Sequence, residues 1–170
     1  MDIILGNILT LFATLSDAVS GTRKTTKSIL SVQIVSQLFY GAAGIALKGY
    51  SATVQNAVSI LRNLVAIWGK SSKVIEWILV ILGVGLGIAF NNLGLLGWLP
   101  IVANLVYSLA VFRSKDNERM LKAAFCFAVF CFTVFNAMLY NVVGAIANGA
   151  LLVSNLIFLI RDIRAKNNPS

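Results

Sequence analysis

Histidine is absent from this chain of 170 residues, which holds only two cysteines, two prolines and six acidic side chains. Without histidine there is no ordinary general base near neutral pH and no imidazole metal ligand. Cys126 and Cys131 stand five apart in one apolar run, on different faces of a helix. A disulfide or a metal site needs other spacings, so both read as small buried hydrophobes. No cofactor or metal site is expected. Charge is equally scarce: 12% of residues are charged and 58% are hydrophobic, against about 25% and 45–50% in soluble domains. With mean hydropathy +0.85, the chain has too few polar groups to coat itself against water, and the lipid bilayer is expected to be part of its solvent. The 14 basic residues against 6 acids do not point to nucleic acid, because they sit in short clusters between apolar runs, where membrane topology signals belong.

What is present is a series of apolar runs of bilayer-spanning length, roughly 17–25 residues. Seven are read, at 3–19, 28–47, 51–69, 74–91, 94–112, 119–139 and 142–160. Polar breaks separate them: Ser20 to Lys24, Lys48-Gly49-Tyr50, Gly69 to Lys73, Asn91 to Gly94, Arg113 to Arg119, and Tyr140-Asn141. The first run lacks the preceding positive charge of a signal peptide, so it is read as a retained helix. With loops numbered alternately, one side receives Arg23, Lys24, Lys27, Lys70, Lys73, Arg113, Lys115, Arg119, Lys122, Arg161, Arg164 and Lys166, and the other only Lys48. Positive charge marks the cytoplasmic side. The expected topology therefore has the N-terminus outside and the C-terminus in the cytoplasm of a bacterial plasma membrane.

Sliding the chain by 92 residues lays the first three runs on the last three, with identities at Ser16/Ser108, Leu47/Leu139, Asn56/Asn148 and Asn63/Asn155. The expected fold is all-α: a polytopic membrane protein of seven helices, built as a three-helix bundle over 1–70, a linker helix over 71–92 and a second three-helix bundle over 93–170 with a short cytoplasmic tail. Because one helix separates the units, the two repeats run parallel.

The repeat places Asn-x6-Asn in the third helix of each unit, Asn56 and Asn63 in one and Asn148 and Asn155 in the other. Seven residues is nearly two helical turns, so both amides of a pair share a face, about 10 Å apart. Amides in hydrocarbon are costly unless partnered. They either line a shared polar cavity or bond between helices. Gln37, Asn104 and Asn136 are further candidates for the same cavity, with Gln33, Ser36, Tyr40 and Ser108 as weaker ones. Arg62 is the one charge deep within a run, with Asp17 as a candidate partner. An intramembrane charge is either functional or structurally paired. Pro100 is expected to kink the fifth helix. Gly83, Gly85 and Gly87 read as small residues for close helix contact, and Trp68, Trp77 and Trp98 as interfacial anchors. No Ser, Cys or acid with a nearby base forms a catalytic set, so an enzyme is not expected.

The stretches Trp98-Leu-Pro-Ile-Val-Ala-Asn104, Arg119-Met-Leu-Lys, and Asn148 to Arg161, together with Gly44 to Asn63, resemble the bacterial inner-membrane YgjV family over about residues 20–164. In architecture the chain looks like the SWEET and PQ-loop transporters, two parallel three-helix bundles joined by one helix. That likeness implies that Asn56 and Asn148 border a substrate pocket. The sequence departs from the group's proline–glutamine motif, with Ile101 after Pro100 and no proline in the first helix. The function expected is a facilitative carrier of a neutral, polar small solute. The alternative is a non-transporting accessory or regulatory membrane protein whose amides only hold helices together. Nothing in the sequence specifies an oligomeric state.

Overall fold

The computed structural model describes residues 1–21, 26–68, 72–113 and 118–167. Among them are seven helices and no strand: α1 (Ile3–Gly21), α2 (Thr26–Ala46), α3 (Tyr50–Ile67), α4 (Lys73–Ala89), α5 (Trp98–Arg113), α6 (Glu118–Met138) and α7 (Val142–Asn167). The basic turns holding Arg23, Lys24, Lys70 and Lys115 lie outside the described residues. Asp2 opens α1 by accepting from the Leu5 N–H at 3.0 Å. Ser72 does the same for α4 at Ile75, and Glu76 follows in the first turn, where a carboxylate suits the helix dipole.

Consecutive helices pack side by side, α1 on α2 on α3 and α5 on α6 on α7. Helix α4 touches α3 and α5, and the two groups meet along α1–α7 and α3–α5. The offset of 92 is now visible in the backbone: α2 and α6 match it at both ends, α1 and α5 where they stop, α3 and α7 where they start. The turns match as well. Lys48 and Tyr140, 92 apart, both adopt φ 57°, a left-handed conformation that side chains other than glycine rarely take. In each turn the bonds that close a helix C-terminus recur in the same register. Lys48 N–H donates to the Ile45 carbonyl (3.0 Å) and Gly49 N–H to Gly44 (2.7 Å), while Tyr140 N–H donates to Ala137 (3.2 Å) and Asn141 N–H to Asn136 (2.9 Å).

Both turns and the start of α1 lie at one end of the molecule. The Asp2 N–H donates to the Ala46 carbonyl at 2.9 Å. Asn7 grips the second turn, donating to the Tyr140 carbonyl (3.0 Å) and accepting from the Val143 N–H (3.0 Å). Asn92 grips the first, donating to the Lys48 carbonyl (2.7 Å) and accepting from the Tyr50 N–H (3.4 Å). Between the turns the repeat-related Leu47 and Leu139 join Ala52 and Phe135 in a buried cluster.

Two expectations change. Helix α5 starts at Trp98, not 94. Asn91 bends the chain by accepting from Leu93 N–H (3.1 Å) and donating to the Gly94 carbonyl (2.9 Å), and Gly94 takes φ 57°. Pro100 then falls in the first turn of α5, fully buried, where its missing N–H has no helical partner to lose. Of the three α4 glycines, two hold close contacts. A Cβ on Gly87 would sit 2.6 Å from Gln55 Nε2 and 2.8 Å from Ile101 Cγ1, and one on Gly83 would sit 3.4 Å from Gln55 Oε1, whereas Gly85 has nothing within 4 Å.

The surface is apolar where a soluble protein's would be polar: Ile4, Leu38, Ile81 and Ile146, from four different helices, are each more than half exposed. Among the described residues no helix is long and apolar enough to cross a membrane. Helices α4 and α5 have 17 and 16 residues, and α3 carries Gln55, Asn56, Arg62 and Asn63.

Candidate functional site

The polar residues that shorten the apolar runs are turned inward. A cavity of about 450 Å³ lies between the two helix groups, with walls from α1, α2, α3, α5, α6 and α7. Its volume falls in the range of small-molecule sites, roughly 300–1,000 Å³. The cluster of Leu47, Phe135 and Leu139 bounds it near the turns.

Asn56, Asn63, Gln37, Asn104, Asn136 and Asn148 all line this cavity, and so do Arg62 and Asp17. Of the candidates, Asn155, Pro100, Ser36 and Ser108 do not line it: Asn155 instead donates to the Leu151 carbonyl of its own helix at 2.8 Å, and Ser108 borders a smaller void. The Asn-x6-Asn pairs are therefore unequal, since Asn63 is buried against the cavity and Asn155 is not.

The amides divide into two sets. Gln55 and Asn141, both 3% exposed, hold helices together. Gln55 donates to the Gly83 carbonyl at 2.8 Å and accepts from Asn104 Nδ2 at 2.7 Å, joining α3, α4 and α5. Asn141 donates to Thr10 Oγ1 at 3.0 Å and Asn136 Oδ1 at 2.9 Å, and accepts from the Gly144 N–H at 3.2 Å, joining α1 to the α6–α7 turn. The other set, Gln37, Asn56, Asn63 and Asn148, makes no side-chain hydrogen bond among the described residues and presents its amides to the cavity.

Gln55 and Asn141 were not candidates in the sequence. Gln55 lies one residue from Asn56, a rotation of about 100°, which aims it at α4 and α5 instead. A signal existed: Gln55, Ser59 and Arg62 follow the i, i+4, i+7 spacing of one helix face. Asn141 read only as a turn residue.

Asp17 and Arg62 do not pair. Asp17 lies beside Ser36 and Tyr40 instead, and the Tyr40 hydroxyl is 3.4 Å from Thr14 Oγ1. Arg62 lies beside Tyr107, whose ring meets Phe125 edge-on at 5.8 Å, and forms no hydrogen bond or ion pair among the described residues. A smaller void of about 20 Å³ at Gln55, Arg62, Gly83 and Asn104 has room for one water. Both cysteines are free and buried, Cys131 among Ala103 and Ala128. Among the described residues no group of His, Cys, Asp or Glu has the arrangement of a metal site.

The walls differ in chemistry. Positions related by the 92-residue offset line the cavity in pairs of unlike side chains, Gln33 and Phe125, Gln37 and Val129, Tyr40 and Phe132, and Ala43 and Phe135. One family model, described as a bacterial inner membrane protein (Imp-YgjV), matches residues 4–166. No curated protein and no solved structure matches the chain.

Proposed function

We propose, from the premise that the chain belongs to this YgjV family of bacterial inner membrane proteins, that it is a carrier for a small solute, binding it in the cavity between two parallel three-helix bundles joined by α4. One observation carries the reading: unpartnered amides from both bundles, Asn56 and Asn63 on α3 and Asn148 on α7, converge on a single cavity of about 450 Å³. A bundle whose amides served only cohesion would pair them, as Gln55 with Asn104 and Asn141 with Thr10 are paired.

The reading takes all seven helices as membrane-spanning, with the N-terminus outside. Their apolar flanks suit lipid, and the polar side chains of α3 turn to the cavity instead. At 1.5 Å per residue the shortest helices reach about 24 Å, close to the roughly 30 Å hydrocarbon core. The protein acts as a carrier, not an enzyme. It equilibrates its solute down the gradient, because among the described residues the cavity wall holds a single carboxylate, Asp17, and no second acid or histidine to complete a proton relay.

The test is flux into proteoliposomes containing only this protein. Counterflow that is lost in Asn56→Ala and Asn148→Ala, with the melting temperature nearly unchanged, supports the carrier. If both variants instead mainly lower the melting temperature, the amides are cohesive and the accessory-protein alternative stands. For topology, a cysteine at Lys48 should react with an impermeant thiol reagent on intact cells and one at Lys115 should not. Labelling of both would break the helix count.

A further inference from the structure

We infer that the solute taken by this cavity is amphipathic: a compact polar head without net charge, joined to a flat apolar body. The inference rests on the carrier reading's site and goes further by naming the class of ligand. It comes from the broken symmetry of the walls. The backbones of α2 and α6 are related by one offset, so related positions view the cavity from comparable places. On α2 those positions hold Gln33, Gln37 and Tyr40, and on α6 they hold Phe125, Val129 and Phe132. A solute polar all round, such as a sugar, would leave hydroxyls unsatisfied against the α6 wall, and each unpartnered polar group costs binding. A purely apolar solute would strip water from the amides of Gln37, Asn56 and Asn63 and return nothing. A molecule with two faces meets both walls, its ring stacking or meeting edge-on with Phe125 and Phe132.

The head's charge follows from the two ionic side chains on the wall. Asp17 and Arg62 are of opposite sign and are not paired to each other. A net anion would be drawn to Arg62 but repelled by Asp17, and a net cation the reverse. A neutral amide or a zwitterion incurs neither repulsion.

The experiment is calorimetric binding to the purified full chain in lipid nanodiscs, with nicotinamide and tryptophan as flat, net-neutral probes and glucose as the uniformly polar one. Nicotinamide or tryptophan should bind and glucose should not. Replacing Phe125 and Phe132 together by Gln should weaken the flat probe about tenfold or more, the loss of roughly one aromatic contact. If that double variant fails to fold, Val129→Gln, which keeps every ring, should shift preference towards glucose. The inference is overturned if glucose binds as tightly as the flat probes, if no flat probe binds at millimolar concentration, or if preference is unmoved by the wall substitutions. Binding of a flat probe without flux would leave this inference standing and defeat the carrier. Glucose flux would do the opposite.

Discussion

The two groups of three helices, α1–α3 and α5–α7, share a backbone plan and differ in what they place on it. Where the first has Gly44 and Gly49 around its left-handed turn, the second has Asn136 and Asn141. Gly44 makes room for Thr53 of its own group, and Gly49 lets the first turn press against the second: a Cβ on Gly49 would meet Leu139 Cδ1 and Phe135 Cζ at 3.0 Å. The asparagines use the same positions to bond, with Asn141 reaching across to Thr10. The difference teaches that a repeat fixes where helices start, stop and turn. Its divergence decides which surface seals by contact, which by hydrogen bonds, and which wall of the cavity is polar.

The comparison breaks most readily at Asn141. Asn141→Leu leaves Thr10, Asn136 and the Gly144 N–H without their partner, and should lower stability by about 3 kcal/mol, since each buried polar group left unpaired costs roughly 1–3. The reciprocal Gly49→Asn should cost about 1–3 kcal/mol through overpacking against Leu139 and Phe135. Urea unfolding in mild detergent measures both. If either change is neutral, the two turns are interchangeable and the contrast drawn here fails.

Next in size is the α3–α4–α5 contact, which has no equivalent on α7, where Ala147 stands in the place of Gln55. Gln55→Leu should cost about 2 kcal/mol by stranding Asn104 and the Gly83 carbonyl, while Ala147→Gln should fall within about 0.5 kcal/mol of the parent. The same denaturant series reports it. Gly87→Ala should destabilise, whereas Gly85→Ala, facing open space, should gain up to about 1 kcal/mol from helix propensity.

A smaller effect tests the latches. Asn7→Ala and Asn92→Ala should each cost about 1 kcal/mol, by loss of the two hydrogen bonds that each makes to its turn. Equal losses would show that the two grips are equivalent although one comes from α1 and the other from the α4–α5 loop. Smallest of all, Asn155→Ala should leave stability and solute binding unchanged, because its amide only returns to its own helix. Asn63→Ala should weaken binding while leaving the melting temperature in place. Equal behaviour of these two would restore the symmetry that the structure denies.

Much of this was legible in the sequence because the breaks between helices are polar or charged and the helices apolar. Six of the seven start within two residues of the positions read from hydropathy. The exception, α5, was misplaced because Leu95 and Leu96 continue the apolar pattern through a turn that Asn91 and Gly94 dictate locally. The gathering of Asn56, Asn63 and Asn148 at a cavity could be anticipated from spacing, which fixes a helix face. Which amides would pair could not, because Gln55 and Asn104 are 49 residues apart and meet only once α3, α4 and α5 are packed. The missing Asp17–Arg62 pair has the same cause: proximity in depth does not fix the direction in which each helix turns its charge.

The cluster of Leu47 and Leu139 sits at one extremity of the interface between the two helix groups, beside both turns, which on the carrier reading makes it the fulcrum. With arms about 25 Å long, a relative tilt of only about 10° around that point would part the opposite ends by about 4 Å, near the width of an aromatic ring's edge, while the leucines themselves barely slide. The lever is asymmetric by construction: leucine packing and the bonds of Asn7 and Asn141 hold the pivot end together, and the amplitude is delivered at the far end, where Arg62, Tyr107 and Phe125 stand.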